Sequence, residues 1–472
     1  MTPGSSGTSY AVRIWSVEPY KGKRGTTYRV RWRVADRRHG RTFATRKLAE
    51  SFVAELTTHL RRGEQFYLEW GLPRAMLPPE PAISWVEHAA EFADSKWARA
   101  SARHRKGLAE ALTTVTEALW SSEAAAPASD ELRQFLRAWV FNRSARRVSL
   151  RDAEPGVDRE EMLAWVLKRS IPVERLAEQP ILRRAVDACA TKLDGAPAAR
   201  STTTRKRSAL YSALDFAVEH GRLEKNPMAA LRSPRLSYSD AVDSRVVVNP
   251  EQARALLSAV EAIYPPLKAF FACLYYAGLR PAEARHLRAA DLLLPEQGWG
   301  KLTLSGSTQS AGAAWTDAGT ANEDRALKHR APTEVRIVPA HPELVAILTW
   351  HMDTFELSPD GRLFVARIGA GGRPLARPFS KPLAMGTVYR VWKVARQRAL
   401  TAAEVDSPLA RRPYDLRHAC VSTWLNAGVP APQVAAWAGH SVTVLLRVYA
   451  KCVSGQEGLA LKRITDAMRR TD

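Results

Sequence analysis

The sequence predicts a multidomain, mainly α-helical protein with small β-sheets: a β-rich N-terminal module, a helical middle domain and an α+β C-terminal domain. Three observations predict this. The chain has 472 residues, more than one hydrophobic core ordinarily serves. Two linker-like stretches, about 71–82 (proline-rich) and about 234–249, divide it. The apolar period is that of a strand near the N-terminus and mostly that of helices afterwards.

Residues 1–70 read as a small β-module with one helix. Between Tyr28 and Val34 apolar residues alternate with Arg29, Arg31 and Arg33, which puts the two sets on opposite faces of one strand. Arg37, Arg38 and Arg41 are expected to flank a turn with Gly40, and Leu48, Phe52, Leu56 and Leu60 predict the apolar stripe of a helix. A strand face of three arginines suits a DNA groove. The plainer alternative is a solvated outer face. Residues 83–233 read as helical, with a break near 124–131. Their clearest element carries Leu210, Leu214, Ala217 and Val218 along one side and stops at Gly221 and Pro227. Beside Arg200, the run Arg205, Lys206 and Arg207 forms a basic cluster that could contact phosphates. Residues 245–472 make the C-terminal domain.

Composition narrows the function classes. No stretch approaches the roughly 18–20 uninterrupted apolar residues of a membrane span. The N-terminus lacks a basic segment followed by an apolar one, so the expected compartment is the cytoplasm. The four cysteines, Cys189, Cys273, Cys420 and Cys452, are too scattered for a CxxC half-site and are expected to be packed thiols. The formal net charge of +22 attracts polyanions, nucleic acid first among them. Charge says nothing about chemistry.

Chemistry enters through three segments of the C-terminal domain. In AFFACLYYAGLRPAEARHLRAADL an apolar helix ends at Gly278 and Pro281 opens another, leaving Arg280 at a helix N-terminus, where an anion is favoured. Glu283, one turn on, can brace that arginine. In RRPYDLRHACVSTWLNAG, Asp415 is placed to cap a helix with Arg417 in its first turn and His418 beside it. In APQVAAWAGHSVTVLLRVYAK a short helix stops at Gly439, His440 follows in the turn, Ser441 can cap the next helix, and Tyr449 lies two turns along.

Together these residues resemble the tyrosine recombinase (phage integrase) family, whose pattern is Arg, Lys, His-x-x-Arg, His or Trp, and a nucleophilic Tyr. AGLRPAE matches the first arginine box through Arg280, DLRHA the second through Arg417, and AGH with VYAK the last through His440 and Tyr449. The spacings also fit: His440 follows Arg417 by 23 residues and precedes Tyr449 by nine. For the lysine, which in the family sits on a β-hairpin turn, Lys328 in ALKHRAPTEVRIVPA is the best match and Lys301 the rival. GKLTLSGS and EVRIVPA read as the two strands, with a Gly/Ala/Ser/Thr-rich insertion at about 306–326. Tyr414 departs from the pattern by replacing the His of His-x-x-Arg. A phenol can hydrogen-bond phosphate but is a poor base at neutral pH.

The resemblance implies that Arg280, Arg417 and His440 stabilise a phosphodiester transition state. Tyr449 would form a 3′-phosphotyrosyl link and Lys328 would protonate the leaving 5′ oxygen. It implies an arm-type DNA-binding module at 1–70, a core-binding domain at 83–233 and a catalytic domain at 245–472. Four protomers would assemble on double-stranded DNA attachment sites, with accessory DNA-bending or excision factors as further partners. No cofactor or metal is implied; no phosphate loop or metal-ligand cluster is found in the sequence. Leu461, Ile464 and Met468 in the tail would pack on the parent domain or on a neighbour. The alternatives are a non-catalytic integrase-like regulator, for which positive charge alone would suffice, and relaxation of DNA in the manner of a type IB topoisomerase.

Overall fold

A computed structural model describes residues 7–22, 25–77, 82–122, 126–231, 241–328, 331, 333–449, 452 and 457–468. The chain divides into two compact units, Met1–Ile83 and Ser84–Asp472. It is mainly helical with small antiparallel sheets.

In the first unit the strand Gly25–Val34 is central: Val12–Ile14 and Glu18–Gly22 share one edge and Arg37–Phe43 lies along the other. Its alternation sorts the side chains as expected. Val30, Trp32 and Val34 are buried against Ala49, Phe52 and Leu56 of the helix Arg46–Arg61, while Arg29, Arg31 and Arg33 are exposed. Two local expectations are corrected. The turn falls at Ala35 and Asp36, with Ala35 at φ 50°, and Gly40 pairs with Arg31 inside a strand. Leu48 is exposed because it lies about 100° around the helix from Ala49, off the buried stripe.

The second unit begins with helices. Ser84 and Glu87 form a capping box that starts Trp85–Trp97, and Ala102–Glu117, Gln179–Ala190 and Arg200–Glu219 pack behind it. From Val242 to Cys452 a second large core runs through helices around a small sheet. The helix Lys268–Tyr276 is apolar on every side and accordingly buried, between Pro250–Ile263, Pro342–Thr354 and Asp415–Asn426. The strands Gly300–Leu304 and Arg336–Ala340 pair antiparallel, Leu304 opposite Arg336, with Leu292–Leu293 on the other edge. The insertion between them forms a hairpin of its own, Gly306–Ser310 against Asn322–Ala326. All four cysteines are buried free thiols. Among the described residues no helix is long and apolar enough to cross a membrane, and no group of three or more His, Cys, Asp or Glu could hold a metal ion.

Candidate active site

Four chain segments meet at the C-terminal end of Lys268–Tyr276. That helix is followed by Gly278 at φ 58°, and Arg280 then occupies the N-cap of the short helix Pro281–Ala284. Glu283 braces it as its spacing predicted: the carboxylate accepts from the Arg280 main-chain N–H at 2.8 Å and from Nη1 at 2.7 Å. The other Arg280 nitrogen donates to the Gly439 carbonyl at 2.8 Å. Gly439 terminates Ala431–Ala438 in the left-handed conformation, φ 65°, and a Cβ there would run into the Arg336 guanidinium. Glycine is therefore required twice over, by backbone and by space.

Arg417 is fully buried in the first turn of Asp415–Asn426. It donates to the carbonyls of Gly278 and Ala438, and its Nη2 lies 3.0 Å from His440 Nε2. Because a guanidinium only donates, His440 Nε2 accepts, and the neutral ring carries its hydrogen on Nδ1. The neutral ring is expected. Burial, then the charges of Arg417, Arg280 and Arg336, push the His440 imidazole down to about 3. Its Nδ1 and Arg417 Nε are buried and have no hydrogen-bond partner among the described residues. Two donors are thus held in place and unspent, which a protein interior ordinarily avoids.

Tyr449 ends the helix Val442–Tyr449, which Ser441 caps by accepting from the Val444 N–H at 3.2 Å. Its phenol is fully buried and its ring stacks near His440 at 6.2 Å between centroids. Burial pushes the phenol above its ordinary value, against the opposing charge of Arg417. Tyr414 is half-buried among the same residues, within hydrogen-bonding reach of Arg280 and edge-on to His418 at 5.0 Å between centroids.

Residues 247–453 match the model of the phage integrase family. Over these residues the chain is similar to the phage integrase family. The chain is also similar to solved structures. One is the Tn1549 transposon integrase in complex with circular intermediate DNA, at 19% identity over 66% of this chain and 93% of that one, TM-score 0.42. Another is the XerH site-specific recombinase bound to difH substrate in a pre-cleavage complex, at 10% identity over 83% and 99%, TM-score 0.44. A third is the catalytic domain of bacteriophage HP1 integrase, at 18% identity over 46% and 94%, TM-score 0.28. No curated protein sequence matches the chain.

The C-terminal domain also holds two residues to which sequence reasoning assigned no role. Arg336 is almost fully buried and grips Glu283 with both terminal nitrogens, at 3.1 and 2.7 Å. Burial pushes the Glu283 carboxyl up, but Arg336, Arg280 and Arg417 outweigh it and hold it at about 2. The signal was present: in Arg336–Ala340 the arginine alternates in step with Val338 and Ala340, a charge on the buried face of a strand. The second is His418, whose Nδ1 lies 3.0 Å from the Tyr449 hydroxyl. It sits one helical turn after Tyr414, but nothing local points across the fold to Tyr449.

Other expected site residues lie elsewhere. Lys328 is exposed in the turn after Asn322–Ala326, outside the hydrogen-bond network just described. Lys301 is exposed on its strand. Asp415 is a correction: Tyr414 holds the N-cap position, and Asp415 is instead the first helical residue, accepting from the Arg412 N–H behind it at 2.8 Å. Lys206 is the other correction. It shares a helix face with Leu210, Ala213 and Ala217 and is buried, so it cannot lie on a phosphate. Arg205 remains exposed and paires loosely with Glu110 at 3.5 Å, and Arg207 is half-buried. In the N-terminal unit Arg29 and Arg33 are exposed, and Arg31 sits 3.3 Å from Glu18. In the tail, Leu461, Ile464 and Met468 are exposed, while Arg463 donates to the carbonyls of Gly428 and Ala427, each at 2.8 Å.

Proposed function

We propose that the protein is a site-specific DNA recombinase that integrates or excises a mobile element by cleaving and rejoining strands through a 3′-phosphotyrosyl bond to Tyr449. One observation carries the reading. Three guanidiniums crowd one carboxylate beside a buried tyrosine: Arg280 and Arg336 pair with Glu283, and Arg417 acts on it through its charge. The surplus charge, with the unspent donors on Arg417 and His440, fits the non-bridging oxygens of one phosphodiester. Charge builds on those oxygens in the transition state, and each well-placed donor contributes about 3–4 kcal/mol.

In this reading Arg280, Arg417 and the His440 Nδ1–H hold the phosphate. Tyr449 attacks the phosphorus, Lys328 delivers a proton to the leaving 5′ oxygen, and Tyr414 donates to the phosphate from the place where the family carries histidine. The covalent intermediate conserves the bond energy, so rejoining needs no nucleotide. The arginine face of the 1–70 module reads arm-type sites, the helices of 83–233 bind the core, and the 245–472 domain cuts. Assembly would be a homotetramer on double-stranded attachment sites, helped by accessory DNA-bending or excision factors, in the bacterial cytoplasm.

The test is covalent trapping in bacteria expressing the protein, with DNA that stays attached after denaturation recovered and sequenced. Attachment at a few sites, abolished by Tyr449→Phe, is expected. Attachment surviving that substitution would shift the nucleophile to Tyr414. Specific binding without any adduct, even on nicked DNA from the bound sites, would favour a regulator.

A further inference from the structure

We infer that His418 is the catalytic proton acceptor for Tyr449, taking over at a different position the task for which Tyr414 is unsuited. The inference rests on the recombinase reading above. Its ground is geometric: His418 Nδ1 stands 3.0 Å from the Tyr449 hydroxyl, the bond length at which a phenol hands its proton to an imidazole. The rings lie 5.6 Å apart between centroids, so the contact is made edge to edge by the polar atoms.

The surroundings keep the His418 ring neutral, as a proton acceptor must be. Burial first, then the charges of Arg417 on its own helix and of Arg412 just before that helix, push the His418 imidazole down to about 4. Tyr414 faces it from the preceding turn, and Tyr449 from the helix across. In the tautomer that carries its hydrogen on Nε2, the neutral His418 ring accepts through Nδ1 from the Tyr449 O–H, and that is the tautomer the inference requires. His440 cannot do this work, because its Nε2 is occupied in accepting from Arg417 and its Nδ1 carries a hydrogen.

The step balances. The Tyr449 oxygen forms its bond to phosphorus while its proton passes to His418 Nδ1. The bond from phosphorus to the 5′ oxygen breaks, and that oxygen takes a proton from Lys328. On rejoining, a 5′ hydroxyl attacks, and His418 returns its proton to the departing phenol. Phosphodiester charge near the ring favours the imidazolium, so binding of DNA raises the basicity of His418 at the moment it is needed.

The experiment uses the full-length protein on a duplex of the site recovered by trapping, with sulfur replacing the bridging 5′ oxygen at the cleaved phosphate. A thiolate leaves without a proton from Lys328, so the remaining proton dependence belongs to Tyr449. His418→Gln keeps a hydrogen-bond acceptor but cannot hold a proton at neutral pH. We expect it to bind DNA as the wild type does while forming adduct about 100-fold more slowly, the usual scale of a lost general base. His418→Ala should be equally slow and be accelerated by added imidazole in proportion to its neutral form. An adduct rate for His418→Gln within a few-fold of wild type, or above it, would overturn the inference, because the contact would then only pack or restrain the phenol. A loss confined to DNA affinity would overturn it as well. Absence of adduct from the wild-type protein would count against the recombinase reading itself.

Discussion

Two clusters of buried arginines lie in the same domain, and only one has the makings of a site. In the first, Glu283 is the one acid among the described residues that pairs with Arg280 and Arg336, and it also feels the charge of Arg417. In the second, at the base of the inserted hairpin, Arg362 pairs with both Asp324 and Asp360, and Arg288 also reaches Asp360. Arg285, almost fully buried, is consumed there by the carbonyls of Leu383 and Thr308 and by Asn322, each at 2.8 Å. Every terminal nitrogen of Arg285 is thus occupied. A buried guanidinium is therefore no sign of function by itself. What separates the clusters is the balance of acid to base and the donors left over: among the described residues Arg417 Nε and His440 Nδ1 have no partner in the first. A saturated cluster holds the fold together, whereas an unsaturated one stores the attraction for an incoming anion.

The sharpest way to break this contrast is Glu283→Gln. Removing the one acid beneath three guanidiniums leaves buried charge uncompensated, and stability should fall by about 3–5 kcal/mol in urea unfolding. Adduct formation should collapse with it, since Arg280 loses its brace. Arg280→Ala should separate chemistry from stability. Its side chain is 22% exposed, so the protein should fold, while adduct formation drops by about 100–1000-fold. Arg280→Lys should recover little, because an ammonium cannot reproduce the fork held by Glu283 and Gly439. Arg362→Ala is the matching change in the saturated cluster. It should cost about 1–3 kcal/mol of stability by removing the shared charged partner of Asp324 and Asp360, yet leave adduct formation per folded molecule unchanged.

Acid should also distinguish the clusters. Burial first, then nearby arginines, pushes His418 to about 4 and His440 to about 3. An unfolded histidine titrates near about 6.5, so below that pH the unfolded chain holds more protons and stability falls with pH. His88 and His351, each pushed to about 4 chiefly by burial, add to the same loss. Melting temperature should be level above pH 7 and decline from about 6.5 towards 4. His440→Asn should flatten part of that decline and Arg362→Ala should not. An unaltered slope in His440→Asn would mean that the ring is already protonated in the free protein.

What could be read from the sequence divides along similar lines. Alternation around Arg29, Arg31 and Arg33 assigned the exposed face of the first sheet, because a strand's period is local. Arg280, Glu283, Arg417, His440 and Tyr449 were legible from spacing within short segments. Lys206 was misjudged because three basic residues in a row look like one patch, while a helix turns each of them about 100° from the last. His418 was invisible for a different reason: its partner is 31 residues away on another helix. The insertion at 306–326 looked like a loop by composition. Its order comes from tertiary contacts: Asn142 donates to the Ala314 carbonyl at 3.1 Å, and Arg105 reaches Trp315 and Asp317 across more than 200 residues.

That last contact offers the mildest test. Arg105 is nearly fully buried, lies 4.6 Å over the Trp97 ring, and donates to the carbonyls of Trp97 and Trp315 as well as to both Asp317 oxygens. The Asp317 side chain, by contrast, is 74% exposed. Water therefore screens the acid, while the base is held by carbonyls and an aromatic face whether or not the acid is charged. Arg105→Ala should cost about 1–3 kcal/mol, because two carbonyls and the Trp97 packing lose their partner. Asp317→Asn should cost less than about 1 kcal/mol, as exposed ion pairs do. Equal losses from the two substitutions would mean that the pair behaves as a buried one, with the hairpin tip depending on its carboxylate as the Arg280 centre depends on Glu283.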